Sequence, residues 1–291
     1  MLWIKFINLE IKNIITNIML SNEFTGVAIC ILILVFVSYF VVKISNNRIE
    51  SFSLNEHNVL DNYFDMIVCI CIPERKKSII ETFRKWGIKN VHFFDAFLKK
   101  DYSHEDFIKM GFLDKDYSSY LNVGRLCCHY SAMSVYKAFL NSNSKSLLVF
   151  EDDLRNDTYK NVSDFNRKIT PIIQNIPKDW EYLNFSKCYD FCSKEESINE
   201  YWSIPNRPLC RTAIAMRRNA AEKIVQNTSK MKELPGDKMI GSLIQNKMFK
   251  AYSTKDITFF QHREVFGSNL ENLAKTNPQK CANENILMKV L

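Results

Sequence analysis

Three short, largely apolar runs set the tightest limit on what this chain can fold into. They are Met66 to Ile72 (MIVCICI), Val91 to Phe94 and Leu147 to Phe150. Each is too short for a helix and shows no polar alternation, which is the pattern of a strand covered on both faces. Between the first two lies ERKKSIIETFRKWGI, with Ile79, Ile80, Phe83 and Trp86 at helical spacing and Gly87 as a stop. The three pieces make a strand–helix–strand unit of about thirty residues. From Arg125 a helix is expected, with Cys128, Ala132, Val135 and Phe139 on one face. Tyr182 to Phe185, Thr212 to Met216 and Ile257 to Phe260 read as further strands. Asn219 and Glu222 resemble a capping box for a helix from Ala220. Asp237 is placed to cap a helix carrying Ile240, Leu243, Ile244 and Met248. The alternation predicts an α/β domain with a largely parallel sheet.

Composition narrows the class. The chain is 46% hydrophobic and 24% charged, which excludes a mostly disordered or collagen-like protein. The excess of 39 basic over 32 acidic residues is spread along the chain with no dense basic block. A dedicated nucleic-acid surface is therefore not expected.

Gly26 to Val42 (GVAICILILVFVSYFVV) carries no charge. As a helix it would extend roughly 26 Å, close to the hydrocarbon thickness of a bilayer. The expected layout is an amphipathic segment at 1–24, a transmembrane helix at 25–43, a polar stem at 44–64 and a catalytic domain at 65–291. This predicts a single-pass membrane protein held by one N-terminal helix. Lys5 and Lys12 on one side and Lys43 and Arg48 on the other leave its orientation open. A type II arrangement in the endoplasmic reticulum or Golgi is one option.

Nine cysteines occur, without paired CxxC motifs, so a zinc site is not expected. Cys69 and Cys71 would share one strand face. Cys188, Cys192 and Cys210 lie in an irregular stretch where pairing is plausible in an oxidising environment. Asn156, Asn161, Asn184 and Asn227 begin glycosylation sequons.

The sharpest chemical feature is Glu151-Asp152-Asp153, where an apolar strand gives out into three acids. The carboxyl ends of strands are where open α/β sheets bind ligands. Oxygen-rich sites suit magnesium or manganese, and such ions can bridge phosphates. A solvated acidic turn, or the metal site of a phosphatase or nuclease, is also compatible with the triplet alone.

Two blocks resemble glycosyltransferase family 25, the lipooligosaccharide and procollagen galactosyltransferases. In IVCICIPERKKSIIETFRKWGIKNVHFFDA the matching positions are Ile67 to Ile72, Arg75, Gly87-Ile88 and Phe93 to Ala96. In GRLCCHYSAMSVYKAFLNSNSKSLLVFEDDL they are Gly124, Cys128, Ser131 and the Glu-Asp-Asp strand end. Farther on, LPGDKMIGSLIQNKMFKAYS is similar to the family's Pro-x-Asp helix and following strand, with Asp237 in the Asp position. The likeness spans roughly residues 65 to 265.

The resemblance implies a GT-A-like, Rossmann-like fold and a nucleotide-diphosphate sugar donor, most often UDP-galactose. The acceptor would be a hydroxyl of a glycan or protein, and transfer would be inverting. Manganese or magnesium would be held by Asp152, Asp153 and His262. Arg75, Glu151, Asp152 and Ser131 would meet the donor, with Arg75 making a forked phosphate contact. A carboxylate base is needed for the acceptor proton; Asp237 is the first candidate and Asp190 the reserve. Two departures stand out. Ala132 replaces the family's His, with His129 one helical turn away. Cys210-Arg211-Thr212-Ala213-Ile214 replaces Gly-Thr-x-Ala-Tyr. They keep open a catalytically inactive relative that binds a glycan or a partner.

Overall fold

The computed structural model describes residues 49–52, 58–256, 258–261 and 280–281. The chain divides into two compact units, Met1–Glu50 and Ser51–Leu291. Of the first, only Ile49 and Glu50 are described, opening strand β1 (Ile49–Phe52).

In the second unit the strands are β2 (Met66–Cys71), β3 (Val91–Asp95), β4 (Ser146–Glu151), β5 (Leu154–Arg155), β6 (Tyr182–Asn184), β7 (Tyr189–Asp190), β8 (Glu196–Ser197), β9 (Trp202–Ile204), β10 (Ala213–Arg217), β11 (Ala251–Thr254), β12 (Phe260–Gln261) and β13 (Lys280–Cys281). The helices are α1 (Val59–Tyr63), α2 (Pro73–Trp86), α3 (His104–Lys109), α4 (Val123–Leu140), α5 (Val162–Gln174), α6 (Arg218–Thr228) and α7 (Gly236–Gln245).

The main sheet of this unit runs β3-β2-β4-β10-β6-β11-β9-β8. Strand β2 is parallel to both β3 and β4, and β11 is parallel to β6. Strand β10 lies antiparallel to β4 and β6, and β8 and β9 are also antiparallel to their neighbours. The sheet is thus mixed rather than largely parallel. An apolar run such as Ala213 to Met216 looks the same whichever way it enters a sheet, so its direction is invisible to periodicity.

Alternation along the strands builds two cores. Ile67, Cys69, Cys71, Leu148 and Phe150 face one side with Phe83 and Trp86 of α2 and Phe165 of α5. Val68, Leu147, Val149 and Met216 face the other with Met133 and Phe139 of α4, Ile224 of α6 and Ile240 of α7. This is the period-2 pattern of a sheet covered by helices on both faces.

Helix starts differ from expectation in informative ways. Helix α4 begins at Val123, capped by Asn122, whose side chain accepts from Arg125 N–H. Helix α6 begins at Arg218 with no side-chain cap, and the Asn219 amide instead donates to Glu181. Helix α7 has Pro235 at its N-cap, so Asp237 sits inside the first turn rather than capping it. Among the described residues of the last predicted strand, Phe260 pairs with β5, and the ladder continues to Gln261. Leu60 and Phe64 are packed in the first core, so the segment read as stem reaches into the domain.

The single-pass membrane placement is corrected. Among the described residues no helix is long and apolar enough to cross a membrane. The longest of them, α4, carries Arg125, His129 and Lys137 within its 18 residues. Residues 1–24 and 25–43 lie outside the described residues.

Candidate active site

Topology gathers the carboxyl ends of β2, β4 and β6 and the start of β10 along one edge. Ile70 pairs with Glu151, Ala213 with Phe150, and Ile214 with Asn184. Helix α4 leads back into β4 through a short turn, so its N-terminal part returns to this edge. Its Cys128 Sγ lies 4.0 Å from Glu151 Oε1.

Here the three consecutive acids separate. Asp152 turns toward β2: Oδ2 accepts from Ile72 N–H at 2.6 Å and Oδ1 from Arg75 Nη1 at 2.9 Å. Asp153 Oδ2 lies 3.9 Å from the same Nη1. Arg75, in the first turn of α2, is itself buried, so the Asp152 contact is a desolvated ion pair. Burial pushes Asp152 up, against the pull of Ile72 N–H and Arg75.

Glu151 turns the other way, toward α4 and α7. Its Oε2 receives Gln261 Nε2 at 3.5 Å, brought there by the β5–β12 pairing. Burial raises its pKa; Arg211 opposes the rise, while Asp152 and Asp237 add to it. Asp237 is half-buried, and its Oδ1 accepts from Lys238 N–H at 2.9 Å. Glu151, Asp237 and Arg211 therefore share one electrostatic neighbourhood.

Arg211 is the residue that pattern reading passed over as part of a degraded motif. It is 8% exposed. Its Nη1 donates to His129 Nδ1 at 3.1 Å and its Nη2 to Cys128 Sγ at 3.4 Å. His129 Nε2 pairs with the Thr228 carbonyl at 2.9 Å, so the imidazole carries its proton on Nε2 and accepts at Nδ1. Burial, with the Arg211 charge, pushes His129 down to about 3. The sequence signal was present: a charged residue in CRTAIAM, set against an apolar strand. Cys188 and Cys210 form a disulfide, and Cys210 adopts φ 69°. The bridge joins the loop after β6 to the residue preceding Arg211.

Other expected site residues have structural duties. Ser131 is fully buried, donates to the Cys127 carbonyl at 2.7 Å and accepts from Phe97 N–H at 2.9 Å. It ties the chain after β3 to α4 and presents nothing to a ligand. Asp190 is 1% exposed. Its Oδ1 accepts from Phe191 and Arg207 N–H at 2.8 and 2.7 Å, and its Oδ2 from Asn206 N–H at 3.2 Å. That carboxylate organises a loop and is a poor base. His262 lies outside the described residues. The amides of Asn156 and Asn184 are buried and donate to Thr258 and Cys210 carbonyls, which withdraws both as glycosylation acceptors.

Whether these acids suit a divalent cation depends on their open oxygens. Both oxygens of Asp152 already receive protein donors, Asp153 Oδ2 lies 3.9 Å from Arg75 Nη1, and Glu151 Oε2 faces Gln261 Nε2. Among the described residues no three His, Cys, Asp or Glu side chains gather so as to hold an ion. The described donor set does not fit a resident cation.

The acids and buried arginines lie at the strand ends of a mixed α/β sheet, the edge where open α/β sheets bind ligands. Residues 71–240 match the model of glycosyltransferase family 25 (LPS biosynthesis protein). The chain belongs to this family and is a glycosyltransferase. A solved structure, described as a glycosyltransferase involved in the glycosylation of the major capsid of PBCV-1, is weakly similar. It is 11% identical, the match covers 70% of this chain and 94% of that one, and the TM-score is 0.33. No curated protein matches the chain significantly.

Proposed function

We propose that the chain transfers a hexose, with galactose the first choice, from a nucleotide-diphosphate donor to a glycan or protein hydroxyl, with inversion. The observation that carries this reading is the convergence of Glu151 and Asp237 beside the Arg75–Asp152 pair at one sheet edge. The fold is read as GT-A-like, with the nucleotide over β2 and α2 and the acceptor near α7. Arg75 presents the positive charge on the donor side. Breaking the glycosidic bond builds charge on the leaving diphosphate, and fixed cations stabilise it there. Asp237 is the base. Beyond the Lys238 N–H bond to Oδ1, its Oδ2 takes no hydrogen bond among the described residues, which leaves it able to receive the acceptor proton.

The test is turnover of a panel of nucleotide-diphosphate hexoses, read as nucleoside diphosphate release with and without acceptor glycans. Asp237→Asn is expected to lower kcat by about 100-fold or more with donor affinity retained. Asp152→Ala is expected to weaken donor binding. The exposed Glu105→Ala should change neither. If no sugar nucleotide is bound or turned over, the reading fails.

A further inference from the structure

Arg211 is a buried cation without an ion pair. Among the described residues no carboxylate oxygen lies within 4.0 Å of it, and its hydrogen bonds go to His129 Nδ1 and Cys128 Sγ, with the buried Tyr136 phenol in the same neighbourhood. All three groups are neutral near pH 7. Burial raises Cys128 and Tyr136 to about 12, and His129 is pushed down to about 3. The acids that feel the guanidinium, Glu151 and Asp237, stand farther off on β4 and α7, and Cys128 bridges toward the first: its Sγ is 3.4 Å from Arg211 Nη2 and 4.0 Å from Glu151 Oε1.

Desolvation works against this charge, and Glu151 and Asp237 oppose that penalty without pairing with it. The surroundings also hold Arg211 from several sides. The disulfide ends at the preceding residue, Cys210, whose carbonyl also accepts from Asn184 Nδ2 at 3.0 Å. The following residue, Thr212, accepts from Glu151 N–H at 2.9 Å through its carbonyl. Gly236, beside Asp237, packs directly on the ring that anchors Arg211.

We propose that Arg211 is a positioning residue for sugar transfer: fixed from below by Cys128 and His129, it holds the Glu151 and Asp237 carboxylates in their working places at the sheet edge. It does not touch substrate. This rests on the assignment of those two acids made above, and it is read in ways that do not depend on that assignment alone.

Arg211→Met keeps the length of the side chain and removes the charge. The expected result is a kcat lower by about 100-fold, the scale of a small misplacement, with donor KM changed by less than about threefold. The thermal midpoint should shift too little to account for that loss. Arg211→Lys should recover at least a tenth of wild-type kcat. Arg211→Gln can still donate to His129 without the charge, so it should behave as Arg211→Met does, and it serves if that variant does not fold. A loss of kcat matched by a lowered midpoint would assign Arg211 a purely structural role. A crystal structure of Arg211→Gln with Glu151 and Asp237 unmoved would overturn the proposal, whatever the activity of the wild type. Displaced acids there would support it even if the donor assignment failed.

Discussion

His129 leaves no room for a side chain at position 236. A Cβ on Gly236 would fall 2.1 Å from His129 Nδ1 and 2.5 Å from Cγ. The N-terminus of α7 can approach α4 this closely only because the residue before Asp237 is glycine.

Gly236→Ala should therefore be costly. Overpacking of a rigid buried ring typically costs about 1–3 kcal/mol. The contact also involves the nitrogen that receives Arg211, so activity should fall further than the stability loss explains. Denaturant unfolding and kcat on the same preparation check this.

Manganese alone should not bind the protein measurably in calorimetry, because Asp152 is held by Arg75 and Ile72 N–H. Arg75→Met releases Asp152 Oδ1 and is expected to bring manganese binding with it, as oxygen ligands become available. Tight binding to the wild type without donor would show that the acids rearrange into a ligand set.

Asp190 accepts three backbone N–H bonds in a buried loop. Asp190→Ala should destabilise the fold by about 2–4 kcal/mol through the donors left unmatched. The fraction that remains folded should keep its kcat, which separates a loop organiser from a base.

Asp65 provides a pH dependence. Burial pushes it up, but the Ser146 hydroxyl and the N–H groups of Lys145 and Ser146 outweigh this and hold it below the usual carboxylate range. A depressed folded pKa adds stability that is complete above the unfolded value, and the contribution is lost as pH falls through the folded one. The stability of the wild type should therefore fall below about pH 4 more steeply than that of Asp65→Asn. Equal acid slopes would show that the Ser146 contact contributes nothing.

Much of the fold was legible because apolar periodicity reports burial. Met66 to Ile72 and Leu147 to Phe150 announced β2 and β4, and the Ile79, Phe83 and Trp86 stripe announced α2. Strand direction was not legible, and β10 reverses without any change of pattern. The acids were found as a triplet, but their separation was not, since neighbours on a turn point where their partners lie. Arg211 was missed for a related reason. Its significance comes from groups about eighty residues earlier, and no local window contains them.

The Cys188–Cys210 bridge gives the sample's chemical history a hold on the enzyme. Material produced or stored with its thiols unpaired would carry the same sequence and nearly the same far-ultraviolet signal. Its loop ahead of β10 would nonetheless be free to wander. Two batches of one protein could then differ in specific activity for no reason visible on a denaturing gel run with reductant.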